Sequence, residues 1–311
     1  DEAARANPLD LLIPMSLAKR RIILVGDHKQ LPHIVDPIIE QQLVKSLDKA
    51  QDPSYALHVS LFEKLFHRLK DTEAKDGIIR TVTLDTQFRM HPQIGEFVSK
   101  HFYQTEGLSS GLPAENFKHS ISGYQGKCLS WLDVPYSRGR EHPGKSKSRR
   151  VEAEVLADEL VRISMENPDL SIGVITFYKS QVGEIMRALS KTDPPLTEES
   201  GQFFEIREPF KFVEHSDASF GERLRVGTVD AFQGMEFDVV FLSVVRSNNI
   251  HLTADKLTWI RKYGFITVEN RLCVAMSRAK KLLISVGDRE MFTHDLASEA
   301  IPSLAELGRE Y

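Results

Sequence analysis

Cysteine, long apolar runs and an excess of positive charge are scarce or missing in this chain of 311 residues. Its two cysteines, Cys128 and Cys273, both lie in apolar stretches, so buried reduced thiols are expected in preference to a disulfide. This usage predicts a cytoplasmic protein, or a nucleoplasmic one in a eukaryote. No apolar run approaches the roughly 18 residues of a membrane span, so no membrane partner is expected.

The charge balance excludes a strongly basic protein. Lys and Arg number 40 against 44 Asp and Glu, which gives a net charge of −4. The net charge therefore gives no indication of a nucleic-acid partner. An acidic protein can nevertheless carry a local basic groove. Apolar residues make up 41% and charged residues 27% of the chain. These values are typical of a soluble globular protein with one large domain or two ordinary ones.

Short apolar runs rich in β-branched residues alternate with helical patterns. The predicted strands are "RRIILVGD", "IIRTVTL", "CLSWLDV", "SIGVITF", "RLRVGTV", "FDVVFLSVV" and "KLLISVGD". The predicted helices are "HPQIGEFVSKHFY", "RRVEAEVLADELVRISMEN" and "SQVGEIMRALSKT". Continuous apolar strands between amphipathic helices indicate a parallel sheet covered on both faces, and therefore an α/β fold.

The strands divide unevenly along the chain. Residues 91–290 contain enough of them for one complete sheet, whereas residues 1–90 are predicted to be the closing portion of another. Residues 191–222 carry prolines and acids with weak periodicity, so they are interpreted as an insertion or extended loop within the second domain. Residues 291–311 are predicted to be a C-terminal tail.

Four polar motifs interrupt this pattern. "GDHKQLPH" follows an apolar strand, which places polar side chains at the carboxyl edge of a sheet, although an ordinary turn explains it equally well. "TQFRMHP" combines an aromatic residue with an arginine, and "TVDAFQGMEFD" is a polar loop between strands. "NRLCVAMSRA" places Arg271 and Arg278 two helical turns apart, so both are expected on one helix face. They could form surface salt bridges or converge on a polyphosphate.

The order of the motifs "DEAA", "GDHKQLP", "TQFRMHP", "ITFYKSQ", "TVDAFQGMEFD" and "NRLCVAMSRA" resembles that of the superfamily 1 helicases. The resemblance is closest to the group of the nonsense-mediated-decay helicase and its DNA-directed relatives, and it extends from residue 1 to about residue 288. It implies two RecA-like parallel sheets with flanking helices. It also implies ATP hydrolysis coupled to movement along single-stranded DNA or RNA, between which the motifs do not discriminate.

The resemblance also implies residue roles in the binding and hydrolysis of ATP. Asp1 and Glu2 resemble the Walker B pair, in which the Asp holds Mg²⁺ through water and the Glu activates the attacking water. Gln30 resembles the glutamine that senses the γ-phosphate.

Further roles fall on residues at and beyond the predicted domain boundary near residue 90. Phe88 takes the place of the aromatic residue that packs on the adenine, and Arg89 and Arg278 resemble the two arginine fingers. Glu236 is similar to the acid that binds the ribose hydroxyls, and Gln233 is a neighbouring candidate for nucleotide contact.

The same resemblance implies four candidate residues for contact with single-stranded DNA or RNA. They are Thr228, Tyr178, Lys179 and Gln181. For the "FYKSQ" residues, a strand end packed under a helix is an equally good interpretation.

One family motif is missing. No "GxxxxGK[ST]" phosphate-binding loop occurs in the sequence, and "EHPGKSKS" lacks the first glycine and a preceding buried strand. We therefore expect "DEAA" to be a real carboxylate pair at the cut edge of a half-domain, in a chain that lacks turnover by itself. Residues 1–86 are then expected to be stabilised by an upstream segment, a partner or self-association. Two alternatives stay open, namely a binding module without turnover and the motor part of a helicase–nuclease.

Overall fold

The computed structural model describes residues 2–31, 60–214 and 220–311. Contacts divide the chain into a first unit, Asp1–Leu84, and a second unit, Asp85–Tyr311. Among the described residues, no helix has both the length and the apolar character needed to cross a membrane.

The first unit has two described helices, α1 (Pro8–Leu17) and α2 (Leu61–Asp76). The side chain of Asn7 caps α1 by accepting from the Leu9 N–H at 3.0 Å, and Ser60 caps α2 in the same way. Helix α2 ends at Gly77, whose φ of 71° is left-handed. These are the usual residues at helix starts and stops.

The prediction of two strands in the first unit is wrong. The runs 20–27 and 78–84 lie without strand pairing among the described residues, and apolar side chains such as Ile23 and Ile79 are exposed. The run 20–27 does make backbone hydrogen bonds, since the Ala3 N–H donates to the Val25 carbonyl at 2.8 Å and the Gln30 N–H donates to the Asp27 carbonyl at 3.3 Å. A strand exists only when a neighbour pairs with it, and an apolar run alone cannot supply that neighbour.

The second unit contains the remaining elements. Its helices are α3 (Pro92–Phe102), α4 (Arg150–Glu166), α5 (Lys179–Leu189), α6 (Glu208–Lys211), α7 (Lys256–Tyr263), α8 (Glu269–Met276), α9 (Arg289–Thr293), α10 (Asp295–Ala300) and α11 (Pro302–Glu310). Its strands are β1 (Thr86–Gln87), β2 (Ser109–Ser110), β3 (Leu129–Asp133), β4 (Ile172–Thr176), β5 (Thr197–Ser200), β6 (Phe203–Ile206), β7 (Phe212–Glu214), β8 (Phe220–Glu222), β9 (Leu224–Thr228), β10 (Phe237–Ser243) and β11 (Ala279–Gly287).

A five-stranded sheet organises the second unit, in the order β3-β11-β10-β4-β9. All of its pairings are parallel, and every residue of the central strand β10 is buried. Leu156 and Leu160 of α4 are fully buried against one face. The predicted α/β fold with a parallel sheet and flanking helices is therefore confirmed. Cys128 and Cys273 are both buried, as expected.

The segment 191–222, which is interpreted from the sequence as an insertion or extended loop, contains regular secondary structure. It forms two antiparallel hairpins, β5–β6 and β7–β8, with the short helix α6 between them. Its alternation was hidden because each of these strands has only three or four residues, too few to show a clear period in the sequence.

Residues 291–311 form three helices that are part of the second unit. Phe292, Leu304 and Leu307 are fully buried, and the Phe292 ring lies 5.6 Å from the indole of Trp131 on β3. This stretch completes the core beside the edge strand of the sheet.

A buried polar network holds the carboxyl ends of the central strands. Glu152 of α4 accepts from the Ser243 hydroxyl at 2.6 Å and from the Val245 N–H at 2.9 Å. Its other oxygen lies 3.5 Å from the guanidinium of Arg149, and both side chains are inaccessible to solvent. Burial raises the pKa of Glu152 to about 7, although Arg149 and the two hydrogen bonds act in the opposite direction.

Phe292→Ala should lower the free energy of unfolding by about 3–5 kcal/mol, because it removes a fully buried ring and leaves a cavity. Urea denaturation measures this loss. Met165→Ala, at an exposed position of α4, is the control and should change stability by less than about 1 kcal/mol. A small loss at Phe292 would mean that residues 291–311 do not belong to the core.

Glu152→Gln should change how stability depends on pH. Since the folded-state pKa of Glu152 lies above its ordinary value of 4.5, its contribution to stability is present at low pH and is lost as pH rises towards 7. Between pH 5 and 8 the wild type should therefore lose roughly 2–3 kcal/mol relative to the variant. Urea titrations at several pH values test this. The exposed control Glu154→Gln should show no such trend, and a pH-independent difference at Glu152 would contradict the assignment.

Candidate functional site

A turn fixed by one glutamine presents the residues of "TQFRMHP". The Gln87 side-chain oxygen accepts from the Arg89 N–H at 2.9 Å and from the Met90 N–H at 2.7 Å. Its amide nitrogen donates to the Met90 carbonyl and to the Ser110 hydroxyl. Because both polar groups of its side chain are hydrogen-bonded within the turn and to the neighbouring strand β2, Gln87 sets the direction in which Phe88 and Arg89 leave the backbone.

Phe88 forms one wall of an open pocket. Its ring is 63% exposed and packs on Gly111, where a Cβ atom would lie only 2.2 Å from the ring. Phe117, which is buried, and Asn116 continue the lining. The cavity has a volume of about 640 Å³, within the range of about 300–1,000 Å³ for small-molecule sites.

Charged groups form the opposite wall. The Arg89 guanidinium donates to the Glu236 carboxylate at 2.9 Å, and the Lys280 ammonium lies 3.8 Å from the same carboxylate. Both arginine and acid are partly exposed. Glu236 precedes β10 and Lys280 is the second residue of β11, so this pocket lies at the amino edge of the sheet.

Asp238 also lines the pocket, but its carboxylate is engaged elsewhere. It accepts from the N–H and the hydroxyl of Ser171 at 3.0 and 2.9 Å and pairs with Lys281 at 3.0 Å. Burial acts to raise the pKa of Asp238, but the Ser171 hydrogen bond and Lys281 outweigh it and lower that pKa. Glu236 is therefore the acid that remains accessible to a ligand.

The pocket has the groups that a nucleotide requires. An exposed aromatic face stacks on any base, a carboxylate accepts from sugar hydroxyls, and a guanidinium beside an ammonium attracts phosphate. The structure thus brings together the predicted residues Phe88, Arg89 and Glu236, which are separated by about 150 positions in the sequence.

Arg278 is placed differently from the expectation. Helix α8 ends at Met276, so Arg271 and Arg278 do not share one helix face. The Arg278 side chain is buried, and it donates to the carbonyls of Val274 and Met235 at 3.0 and 3.2 Å. Its guanidinium therefore joins the end of α8 to the loop that precedes β10. Its predicted contact with a phosphate stays a prediction.

The loop 229–236 passes from the carboxyl end of β9 to the amino end of β10. Thr228 is its first neighbour and Glu236 its last residue, with the half-buried Gln233 between them. The buried ring of Phe232 packs over Gly173 of β4, where a Cβ atom would approach the rings of Phe237 and Phe232 to 2.8 and 3.1 Å. A glycine at this position lets the loop lie close to the sheet.

The residues assigned to the single strand lie at the opposite, carboxyl edge. Thr228 ends β9, and Tyr178 and Lys179 follow β4. Lys179 is exposed, whereas the Tyr178 ring is buried and lies 5.6 Å from the ring of Phe265. Gln181 is fully buried.

Gln181 serves the buried network of the carboxyl edge. Its side-chain oxygen accepts from the Arg149 N–H at 2.7 Å, and its amide donates to the Ser243 hydroxyl at 3.1 Å. For Tyr178 and Gln181, the interpretation as a strand end packed under a helix therefore agrees with the structure, whereas Thr228 and Lys179 are accessible to a ligand.

Arg271 joins the carboxyl edge to the first residues of the loop 229–236. Its guanidinium lies 4.9 Å above the Phe265 ring and 3.7 Å from the Asp230 carboxylate. Since Phe265 also contacts Tyr178, packed side chains connect the carboxyl edge of β4 with the loop 229–236.

The first unit carries the other predicted catalytic residues. Asp1, the predicted Mg²⁺ ligand, lies outside the described residues. Glu2 is exposed and has a left-handed backbone with φ of 55°. The Gln30 amide donates to the Asp27 carboxylate at 2.8 Å, which orients its side chain within the "GDHKQ" turn. In the described ranges, no group of three metal-ligating side chains occurs.

Sequence reasoning missed Gln87, Phe117 and Lys280. Gln87 could have been found because it precedes the predicted aromatic–arginine pair. Lys280 gave no signal, since a lysine at the start of a strand is typical of a solvated surface.

Comparisons with known proteins agree with the motif order. A family described as an AAA domain matches residues 57–290, and a second family with that description matches residues 1–36. The chain is 30% identical to Helicase sen1 of Schizosaccharomyces pombe, over 95% of its own length and 15% of that protein. It is also 30% identical to the Regulator of nonsense transcripts 1 homolog of Neurospora crassa, over 95% of its length and 23% of that protein.

A solved structure, that of the PRRSV helicase, superimposes with a TM-score of 0.38 at 17% identity, covering 93% of this chain and 34% of that one. The chain thus spans less than a quarter of the length of the two curated relatives named above. The AAA-domain match over residues 57–290 and the identity to these relatives show that this chain belongs to the superfamily 1 helicases.

Proposed function

We propose that this chain is the motor part of an ATP-dependent helicase or translocase that moves along single-stranded nucleic acid. The observation that carries the proposal is the pocket at the amino edge of the sheet. It unites Phe88, Arg89 and Glu236, which the motif order had assigned to one nucleotide, and adds Lys280.

In this proposal each pocket residue contacts a different part of ATP. Phe88 stacks on the adenine, Glu236 accepts from the ribose hydroxyls, and Arg89 neutralises charge on the phosphates with help from Lys280. The Arg89–Glu236 pair, at 2.9 Å, then opens when the nucleotide enters, because each partner turns to a different part of the ligand. The Arg89–Glu236 contact is thereby replaced by two contacts with the nucleotide, one from Arg89 to the phosphates and one from Glu236 to the ribose hydroxyls.

Mg²⁺ accompanies ATP in the proposal and supplies charge neutralisation at the phosphates. Its predicted protein ligand is Asp1, with Glu2 as the base that activates water. Gln30, oriented by Asp27, senses the γ-phosphate. Because no phosphate-binding loop occurs within these 311 residues, turnover requires such a loop from outside them.

The strand is proposed to bind at the carboxyl edge. Lys179, exposed at the first turn of α5, offers a charge to a phosphate, and Thr228 offers a hydroxyl. Because the Tyr178 ring is buried against Phe265, base stacking on Tyr178 is not part of the proposal. Contacts to backbone alone give strong salt dependence and little sequence preference.

A binding module without turnover is the second candidate. The lack of a phosphate-binding loop within the chain favours it, and the accessible Arg89 and Glu236 favour the motor.

ATP hydrolysis separates the two candidates. In the product of the complete gene, single-stranded DNA or RNA should stimulate turnover, and Arg89→Ala should lower kcat by about 10³-fold because it removes an arginine finger. Arg150→Ala, an exposed arginine on α4, is the matched control. Glu2→Gln should abolish turnover, and the 311-residue chain alone should have none.

One result would count against the motor, and another would count against the requirement for a loop from outside the chain. Strand binding by the complete gene product without any turnover would establish the binding module. Strand-stimulated turnover by the isolated chain, lost in Glu2→Gln, would show that its phosphate site is built without the loop.

A further inference from the structure

The two hairpins of the segment 191–222 present phenylalanine to solvent. Phe203, Phe212 and Phe220 are 75%, 56% and 71% exposed. Large exposed aromatic side chains in one short segment are unusual for a surface that only meets water.

The register of the second hairpin places its aromatic and acidic side chains on one face. Phe212 pairs with Glu222, and Glu214 pairs with Phe220. Because the intervening pair is Val213 with Gly221 and side chains alternate along a strand, the four outer residues share one face. Val213 points the other way and is buried.

The first hairpin follows the same rule. Ser200 pairs with Phe203, and Glu198 pairs with Glu205, all four on the exposed side. Two carboxylates directly opposite each other repel and are destabilising without a counter-charge. Arg207 lies 3.8 Å from Glu198 but is itself substantially exposed. Within each hairpin the exposed Phe and Glu side chains thus share one side, and we call these two sides together the Phe–Glu face.

The Phe–Glu face stands on a firmly attached base. The Leu196 N–H donates to the Leu189 carbonyl of α5 at 3.0 Å, and the Thr197 hydroxyl donates to the Met186 carbonyl at 2.7 Å. On the other side, Arg223 donates to the carbonyls of Pro209 and Ser164, both at 2.8 Å. Exposure of the phenylalanines is therefore a property of a folded surface.

The negative charge of residues 191–222 indicates which kind of partner could bind the Phe–Glu face. Residues 191–222 carry eight carboxylates against three Lys or Arg, a net charge of −5, whereas the whole chain carries −4. The rest of the protein is thus close to neutral, and the negative charge concentrates in this segment. Such a field repels phosphate backbones, so nucleic acid does not fit this face.

We propose that the Phe–Glu face is a docking surface for a protein partner that presents a basic surface with apolar pockets. Each phenylalanine fills a pocket as an aromatic anchor, and the surrounding carboxylates meet lysine or arginine at the rim. This surface contains none of the residues assigned to nucleotide or strand, so the inference stands independently of the proposed motor.

The test uses the full chain and defined probes, read by fluorescence anisotropy. The probes are an 18-residue amphipathic Leu/Lys peptide, its Leu/Glu counterpart and a dT20 oligonucleotide. The Leu/Lys peptide should bind, and Phe203→Ser/Phe212→Ser/Phe220→Ser should weaken binding at least 10-fold. Because these side chains are exposed, the triple variant should unfold at nearly the same temperature as the wild type.

Two further variants separate charge from apolar contact. Glu198→Gln/Glu205→Gln/Glu214→Gln should weaken binding of the Leu/Lys peptide, as should 0.5 M NaCl, while the Leu/Glu peptide should not bind. Glu222 is left unchanged because its carboxylate already pairs with Arg225 at 2.8 Å. Leu257→Ser/Ile260→Ser, at similarly exposed apolar positions of α7, is the matched control and should bind like the wild type.

Four outcomes would overturn the proposal. They are no binding of the Leu/Lys peptide, equal binding by the triple phenylalanine variant, loss of dT20 binding in that variant, and self-association of the wild type that the variant abolishes. The third would assign the face to nucleic acid, and the fourth would assign it to a second copy of the chain.

Discussion

The buried guanidinium of Arg278 is the constraint on which the amino edge of the sheet depends. A cation removed from water must have its donors satisfied, and here backbone carbonyls of α8 and of the loop before β10 satisfy them. The Arg278 carbonyl in turn accepts from the Phe237 N–H at 3.0 Å. These bonds fix α8, the loop 229–236 and the first residues of β10 and β11 as one body. Glu236 and Lys280 project from this body, so the charged wall of the pocket has a rigid foundation.

The parallel sheet separates the two candidate binding regions. Parallel strands put all amino ends at one edge and all carboxyl ends at the other, and the nucleotide and strand residues lie at opposite edges. The loop 229–236 is continuous between them, and Phe232 packs it onto the sheet over Gly173. The loop therefore forms a short packed connection between Glu236 and Thr228. This geometry is suited to a protein in which binding of one ligand changes the affinity for another.

The sequence predicted the five core strands correctly because each contains a short apolar run rich in β-branched residues, and the inner strands β4 and β10 are buried along their whole length. The runs 20–27 and 78–84 have the same composition but lack a paired neighbour among the described residues, and composition does not encode pairing. The pocket residues Phe88, Arg89 and Glu236 were predictable from motif order. The burial of Arg278 and Gln181 was not, since a polar side chain at a motif is equally consistent with ligand contact and with backbone capping. The hairpins of 191–222 were hidden because their strands are only three or four residues long.

The most direct test of the account is photo-cross-linking of the 311-residue chain with 8-azido-ATP, followed by peptide mapping. Activation at the adenine ring labels whatever lies against the base. If the pocket at the amino edge receives the nucleotide, saturable labelling that unlabelled ATP suppresses should map to the segment 86–117, which carries Phe88 and Phe117. Saturable labelling at the carboxyl edge, around residues 172–190, or labelling that ATP does not suppress, would contradict the account.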